Sequence, residues 1–259
     1  MRKLKLTNFF QRIIHKSLDL IFPCYCFGCQ REGTRLCQEC LNNLPRSFCS
    51  GEEKIFSVFD YNSPIVKQAV WALKYKRGID LAKTFAQAMS DTLLEELADK
   101  LIVACSKSNF WVPRSWTSNK LPTQIIVIPV PLSPTRRRER GYNQAEELAK
   151  QMADINPEQF CLETNLIKKI KDTPTQVSIK NRKQRLVNLK GAFKLNPKGG
   201  LCSKLDFWAP RSPTSNSTSG KIFVIIDDVS TTGATIGEIR QLLKKAGFNR
   251  TYGLVLAHG

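Results

Sequence analysis

VIIDDVSTTGATI, residues 224–236, decides the reading of this chain: an apolar run, two acids, a Thr- and Gly-rich turn, and the start of a helical pattern. An apolar run of this kind suits a strand buried on both faces. At the carboxyl end of such a strand, Asp227 and Asp228 can accept hydrogen bonds from the paired hydroxyls of a ribose, as an acid does in dinucleotide sites. Thr231, Thr232, Gly233, Ala234 and Thr235 then make a loop whose N–H groups and hydroxyls can surround a phosphate, with the positive end of a helix dipole behind it. Gly233 permits the turn and a close ligand approach that a side chain would obstruct. Capping and turning alone would account for the acids or the glycine taken singly. The full order of strand, Asp-Asp, Thr-Thr-Gly and helix points to a phosphate and ribose site. The Gly-x-x-x-x-Gly-Lys pattern occurs nowhere in the chain, which argues against an ordinary nucleoside triphosphatase.

Working outward, strand and helix patterns alternate. IFSVFDYN reads as a strand and turn, residues 63–75 and 81–98 as helices, QIIVIPVP as a buried strand and GYNQAEELAKQMADI as a helix. KIFVIIDDV is the central strand, GATIGEIRQLLKKAG a helix with Gly247 at its end, and TYGLVLA a last strand. Such alternation predicts an α/β fold with a mostly parallel sheet covered by helices. Two segments interrupt it and resemble each other, NFWVPRSWTSNK at 109–120 and DFWAPRSPTSNSTSGK at 206–221. Their Pro, Ser and Asn content suits exposed loops, and repetition at two unrelated points suggests tolerated additions, at 105–121 and 202–220, rather than bases stacked on Trp and Arg. Residues 1–22 place Leu6, Phe9, Phe10, Ile13 and Ile14 at helical spacing opposite Lys3, Arg12 and Lys16, as a basic amphipathic helix would. Packing on the domain is the expected role of that helix, with contact to the inner face of the membrane or to DNA as the alternative. The main domain is expected over 55–259.

With 40 Lys and Arg against 22 Asp and Glu, the 259-residue chain carries a formal net charge of +18. That field attracts phosphates, nucleic acid or acidic lipid. The excess is clustered: residues 166–190 hold eight basic residues and one acid, and Arg136, Arg137, Arg138 and Arg140 surround Glu139. No apolar run reaches the roughly 18 residues of a membrane span, and the amino-terminal segment has no small-residue cleavage site. The expectation is a cytoplasmic protein without a transmembrane segment. Neither His15 nor His258 suggests a histidine-dependent triad, so no general base is evident.

Residues 23–54 are cysteine-dense and poor in core formers, the mark of a small module that needs a staple. Cys26, Cys29, Cys37 and Cys40 form two Cys-x-x-Cys pairs seven residues apart, which can place four thiolates on one structural Zn²⁺. Disulfides fit poorly with a chain that shows no secretion signal. Cys24 and Cys49 are expected to be non-ligands, and Cys105, Cys161 and Cys202 are given no role.

Three further segments carry a resemblance. IPVPLSPTRRRERGYNQAEELA at 128–149 contains Arg140, Gly141, Asn143 and Gln144 in an Arg-Gly-Tyr-Asn-Gln run. TPTQVSIKNRKQRLVNLKGAF at 173–193 contains Thr173, Gln176, Arg182, Arg185, Asn188, Ala192 and Phe193, and WALKYKRG at 71–78 contains Lys74. Together with the Asp-Asp loop, these segments resemble the ComF family of competence proteins, within the phosphoribosyltransferase superfamily. The resemblance implies a type I phosphoribosyltransferase-like sheet with helices on both faces, after a four-cysteine finger. It implies binding of 5-phosphoribosyl-1-pyrophosphate (PRPP) with Mg²⁺ by Asp227, Asp228, Val229, Ser230, Thr231, Thr232, Gly233, Ala234 and Thr235, and by a pyrophosphate loop that includes Pro129 and Val130. Asp227 and Asp228 would serve catalysis if turnover occurs, with Arg140, Arg182 or Arg185 opposite the leaving pyrophosphate. Partners implied are single-stranded DNA and the DNA-uptake machinery, with a homo-oligomer open. Transfer to an unidentified acceptor and PRPP sensing without turnover are the other functions that the same loop would serve.

Overall fold

The computed structural model describes residues 23–47, 54–75, 78–106, 124–172, 189–196 and 221–259. The expected helix within 1–22, both Phe-Trp-x-Pro-Arg-Ser repeats, Cys49, Cys202, Arg182 and Arg185 lie outside the described residues. Along the chain come α1 (Gln38–Asn42), β1 (Ile55–Asp60), α2 (Pro64–Tyr75), α3 (Ile79–Ser106), β2 (Ile125–Pro129), α4 (Pro134–Arg140) and α5 (Gln144–Ile155). There follow β3 (Phe160–Leu162), β4 (Ile167–Lys169), β5 (Phe193–Leu195), β6 (Ile222–Ser230), α6 (Ala234–Lys245) and β7 (Thr251–His258).

Five strands form one parallel sheet in the order β1-β7-β6-β2-β3, and β4 and β5 form a separate antiparallel pair. The alternation in the sequence thus gives the α/β fold expected of it. β6 lies at the centre because Ile222, Phe223, Val224, Ile225 and Ile226 are apolar on both faces and all are buried. Each such side chain contributes about 1.5–3 kcal/mol relative to exposure. Ile222, Val224 and Ile226 join the core formed with α2, α3 and α5, while Phe223 and Ile225 join the core on the other face, with Ile236 and Ile239 of α6 and Ile167 and Phe193 of the β4–β5 pair.

The structure departs from the sequence expectation at several places, each with a local cause. α3 runs to Ser106, past the expected end at residue 98, so Cys105 belongs to a helix. The segment 141–143 is a link rather than a first helical turn: Gly141 ends α4 in the left-handed region at φ 78°, and Asn143 caps α5 by accepting from the Ala145 N–H. α4 itself was invisible to hydrophobic periodicity because none of its seven residues is buried; Ser133 caps it, with Pro134 at its start. β3, β4 and β5 have three residues each, too short to show a period.

The cysteine module is continuous with the main core. Leu36, Leu41 and Leu44 pack in the same apolar cluster as Phe59 and Phe85. Backbone bonds run from Asp60 N–H to the Pro45 carbonyl and from Ser47 N–H to the Val58 carbonyl, so residues 45–47 cover the free edge of β1.

Candidate functional site

β2 leads to β3 on one side and β6 leads to β7 on the other, so their connections diverge between these two neighbouring strands. Such a topological switch point opens a crevice at the carboxyl ends of the strands, the usual ligand position in open α/β sheets. A cleft of about 240 Å³ lies there, lined by Val130, Pro131 and Leu132 after β2, by Asp227, Asp228 and Val229 of β6, and by Thr231 and Thr235 beyond it.

The two acids are consecutive on a strand, so their side chains take opposite faces of the sheet. Asp228 points toward α2, where Lys74 Nζ lies 3.2 Å from its Oδ2, with both side chains largely buried. Burial works against the Lys74 charge, but Asp228 and then Asp227 outweigh it and raise the lysine above its ordinary value. Asp227 turns toward the β4–β5 side, where Lys169 also lines the cleft. Burial, and then the charge of Asp228, push the Asp227 carboxyl up to about 7. Lys169 is lowered by burial and by Arg136, with Asp227 opposing. The pair of acids is therefore set between two lysines from opposite faces.

After the acids, Ser230 Oγ accepts from Gly233 N–H at 3.0 Å, and Gly233 stands at φ 68° as the N-cap of α6. Ser230 thus shapes the loop, and glycine at the cap supplies no side chain to satisfy the helix N–H groups, which suits the helix end to an anion. Thr231 and Thr235 face the cleft; Ala234 is buried in the core beneath, and Pro129 ends β2 opposite Ile226. Thr232 is partly exposed in the same turn.

The Arg-Gly-Tyr-Asn-Gln run fastens the loop after β2. Asn143 Nδ2 donates to the Val130 carbonyl at 3.0 Å, the Tyr142 hydroxyl donates to the Leu73 carbonyl, and Gln144 Nε2 donates to the Lys74 carbonyl. Arg140 donates to Gln144 Oε1 at 2.8 Å and lines the cleft. Arg182 and Arg185 lie outside the described residues. Sequence reasoning missed Lys74, Lys169, Arg136 and Tyr61 as cleft residues. The charge cluster around Glu139 was the available sign for Arg136; Lys169 comes from a strand too short to recognise.

Among the described residues, Cys26, Cys29, Cys37 and Cys40 are the one group of metal-ligating side chains brought together, their sulfurs all within 4.8 Å of one another. Sγ separations of 3.7 Å for Cys26–Cys37 and 3.6 Å for Cys29–Cys37 are close to the ~3.8 Å edge of a tetrahedron with Zn–S of about 2.3 Å. The four cysteines fit a small zinc module. Burial would raise the Cys26 thiol, but N–H bonds from Cys37, Cys29 and Gly28 outweigh it and hold it at about 6. Sulfur contact with Cys37, followed by burial, pushes Cys40 up to about 12. Gly28 is required by space: a Cβ there would lie 2.6 Å from Cys40 Sγ. Cys24 stays outside the cluster, as expected.

Fold and site together define an α/β protein with an acid pair at a topological switch point and a four-cysteine module on its first strand. The chain is similar to competence and DNA utilization proteins, in line with its resemblance to the ComF family. It is 37% identical over 148 residues to Competence protein F of Haemophilus influenzae, which covers 53% of this chain and 52% of that protein, so the match spans about half the length of that relative. It is 28% identical over 232 residues to DNA utilization protein YhgH of Salmonella typhimurium, covering 86% and 83%, and 32% identical over 134 residues to Competence protein ComFC of Streptococcus pneumoniae, covering 51% and 47%. No family model matches the chain. None of the helices described is long and apolar enough to cross a membrane.

Proposed function

We propose that the cleft binds PRPP with Mg²⁺, and that through this site the protein acts in the uptake or processing of single-stranded DNA during natural transformation. The observation that carries the first part is the pairing of Asp227 and Asp228 with an uncapped α6 N-terminus at the switch point. In this reading the acids accept from the ribose hydroxyls, and residues 231–235 take the 5-phosphate through backbone N–H groups and the Thr231 and Thr235 hydroxyls. The Val130–Leu132 loop, with Arg136 and Arg140, faces the pyrophosphate. Mg²⁺, a hard cation that keeps several waters and is held largely by substrate oxygens, would supply charge neutralisation, with Asp227 or Asp228 as its protein contact. The same cations suit displacement at the anomeric carbon, where a leaving pyrophosphate develops charge. The DNA part draws on the net charge of +18 and on the names Competence protein F and DNA utilization protein YhgH carried by the relatives.

Calorimetric titration of PRPP with and without Mg²⁺, into the wild type and into Asp227→Asn, Asp228→Asn, tests the cleft. Saturable Mg²⁺-dependent binding that disappears in the folded double variant supports it. Absence of binding to the wild type defeats it and leaves nucleic acid as the leading ligand. Release of pyrophosphate in the presence of an acceptor separates turnover from sensing.

A further inference from the structure

We propose that Trp71 and Tyr75, with Arg140 seated on the Tyr75 ring, form a base-stacking platform for single-stranded DNA at the mouth of the cleft. α2 buries Val66, Ala69, Val70, Ala72 and Leu73 on its inner face. Its outer face nevertheless carries the two largest aromatic types one helical turn apart, Trp71 at 51% and Tyr75 at 58% exposure. Their rings lie 5.7 Å apart at 44°, so they hold one another in place and present a continuous aromatic surface. The Arg140 guanidinium sits 5.4 Å from the Tyr75 centroid.

Arg140 ends α4, which carries Arg136, Arg137 and Arg138 along a helix with no buried residue; Glu146 pairs with Arg137 at 3.3 Å and Glu139 is the acid within the helix. Flat apolar rings bordered by guanidinium groups match a ligand that offers flat faces and closely spaced phosphates. A single strand offers both, whereas a duplex hides its base faces in the stack. A protein partner would find the aromatic pair interrupted by charge on the side nearest the cleft. Tyr75 and Arg140 line the cleft as well, so a strand on the platform leads to the cleft mouth. The inference rests on the DNA part of the proposed function and is independent of PRPP.

The test uses the full chain and fluorescence anisotropy with an end-labelled oligodeoxythymidine of about 16 nucleotides. It compares wild type, Trp71→Ala, Trp71→Phe, Tyr75→Ala and Arg138→Ala, and repeats each titration with an abasic oligomer of equal length and charge. Trp71→Ala and Tyr75→Ala are each expected to weaken binding about tenfold without changing its salt dependence, and Trp71→Phe to retain most of it. The abasic oligomer should bind the wild type about as weakly as oligodeoxythymidine binds Trp71→Ala. Arg138→Ala should weaken both oligomers alike and lower the salt slope by about one. Equal binding of the two oligomers, unchanged binding in both alanine variants, or no binding by the wild type overturns the platform. PRPP calorimetry on the same proteins keeps the two readings apart. Loss of PRPP binding with Trp71-dependent DNA binding retained defeats the cleft alone, and the reverse pattern defeats the platform alone.

Discussion

The cysteine module and the cleft both gather groups that would repel or ionise awkwardly in isolation, yet they do so by different means. The module draws four thiols from fifteen consecutive positions, 26–40, a short stretch that a central cation would staple. The cleft draws Lys74 from α2, Lys169 from β4, Arg140 from α4 and two acids from β6, and the sheet holds them. A site made by local chain would lean on a bound cation for its shape, whereas a site made by the sheet takes its shape from the fold. The distinction has measurable consequences.

The largest effect is expected in the module. Replacing Cys26 and Cys29 together by Ser should abolish stoichiometric zinc, read by elemental mass spectrometry on freshly reduced protein. It should also lower the melting temperature of the whole domain, because Leu36, Leu41 and Leu44 belong to its core. A wild type purified without zinc, or a double variant with unaltered melting, would break the comparison.

Next in size, Asp227→Asn with Asp228→Asn should lower PRPP affinity by about 100-fold, or roughly 2.7 kcal/mol, with circular dichroism unchanged. Loss of fold instead of affinity would mean that the acids belong with the cysteines, as groups the structure requires.

Lys74→Ala should cost about 1–3 kcal/mol in urea unfolding, since it leaves Asp228 enclosed without its cation. Adding Asp228→Asn should restore part of that loss. A double variant whose loss is the simple sum would show that the pair is uncoupled.

The smallest readout is a slope. An unfolded Asp releases its proton near 3.8, whereas folded Asp227 holds its proton up to about 7. Between these values the folded state binds the additional proton, so this residue makes the ligand-free protein less stable as pH rises from about 4 to 7, and the effect levels off above that. The slope cannot exceed about 1.4 kcal/mol per pH unit for one group. Asp227→Asn should flatten it in denaturant titrations across that range. The same slope in the variant would assign it elsewhere.

The contrast also explains what could be read in advance. Asp227, Asp228 and the 231–235 turn were legible because strand, acid pair and helix start are neighbours in the chain, and the cysteines because ligand spacing is local. Lys74 was visible only as part of a family-like segment, since its role depends on α2 lying across the sheet from β6. Ser230 illustrates a finer point: the resemblance set it among the PRPP-binding residues, and only the folded turn shows its hydroxyl accepting from the Gly233 N–H. The Arg-Gly-Tyr-Asn-Gln run was recognisable as a motif, but its work as a fastener between Leu73, Lys74 and Val130 needed the three elements in space.

By itself the sequence determined the α/β class, the central strand, the acid-and-threonine turn and the four-cysteine cluster, because hydrophobic period, turn chemistry and ligand spacing are short-range properties of a chain. Tertiary structure alone decided that the β2 and β6 connections diverge beside one another, that the acids face Lys74 and Lys169 from opposite sides, and that Arg140 sits on the Tyr75 ring at the cleft mouth. Those contacts join residues about 60 to 160 positions apart, and their placement follows from the packing of whole elements on a twisted sheet, which no local pattern encodes.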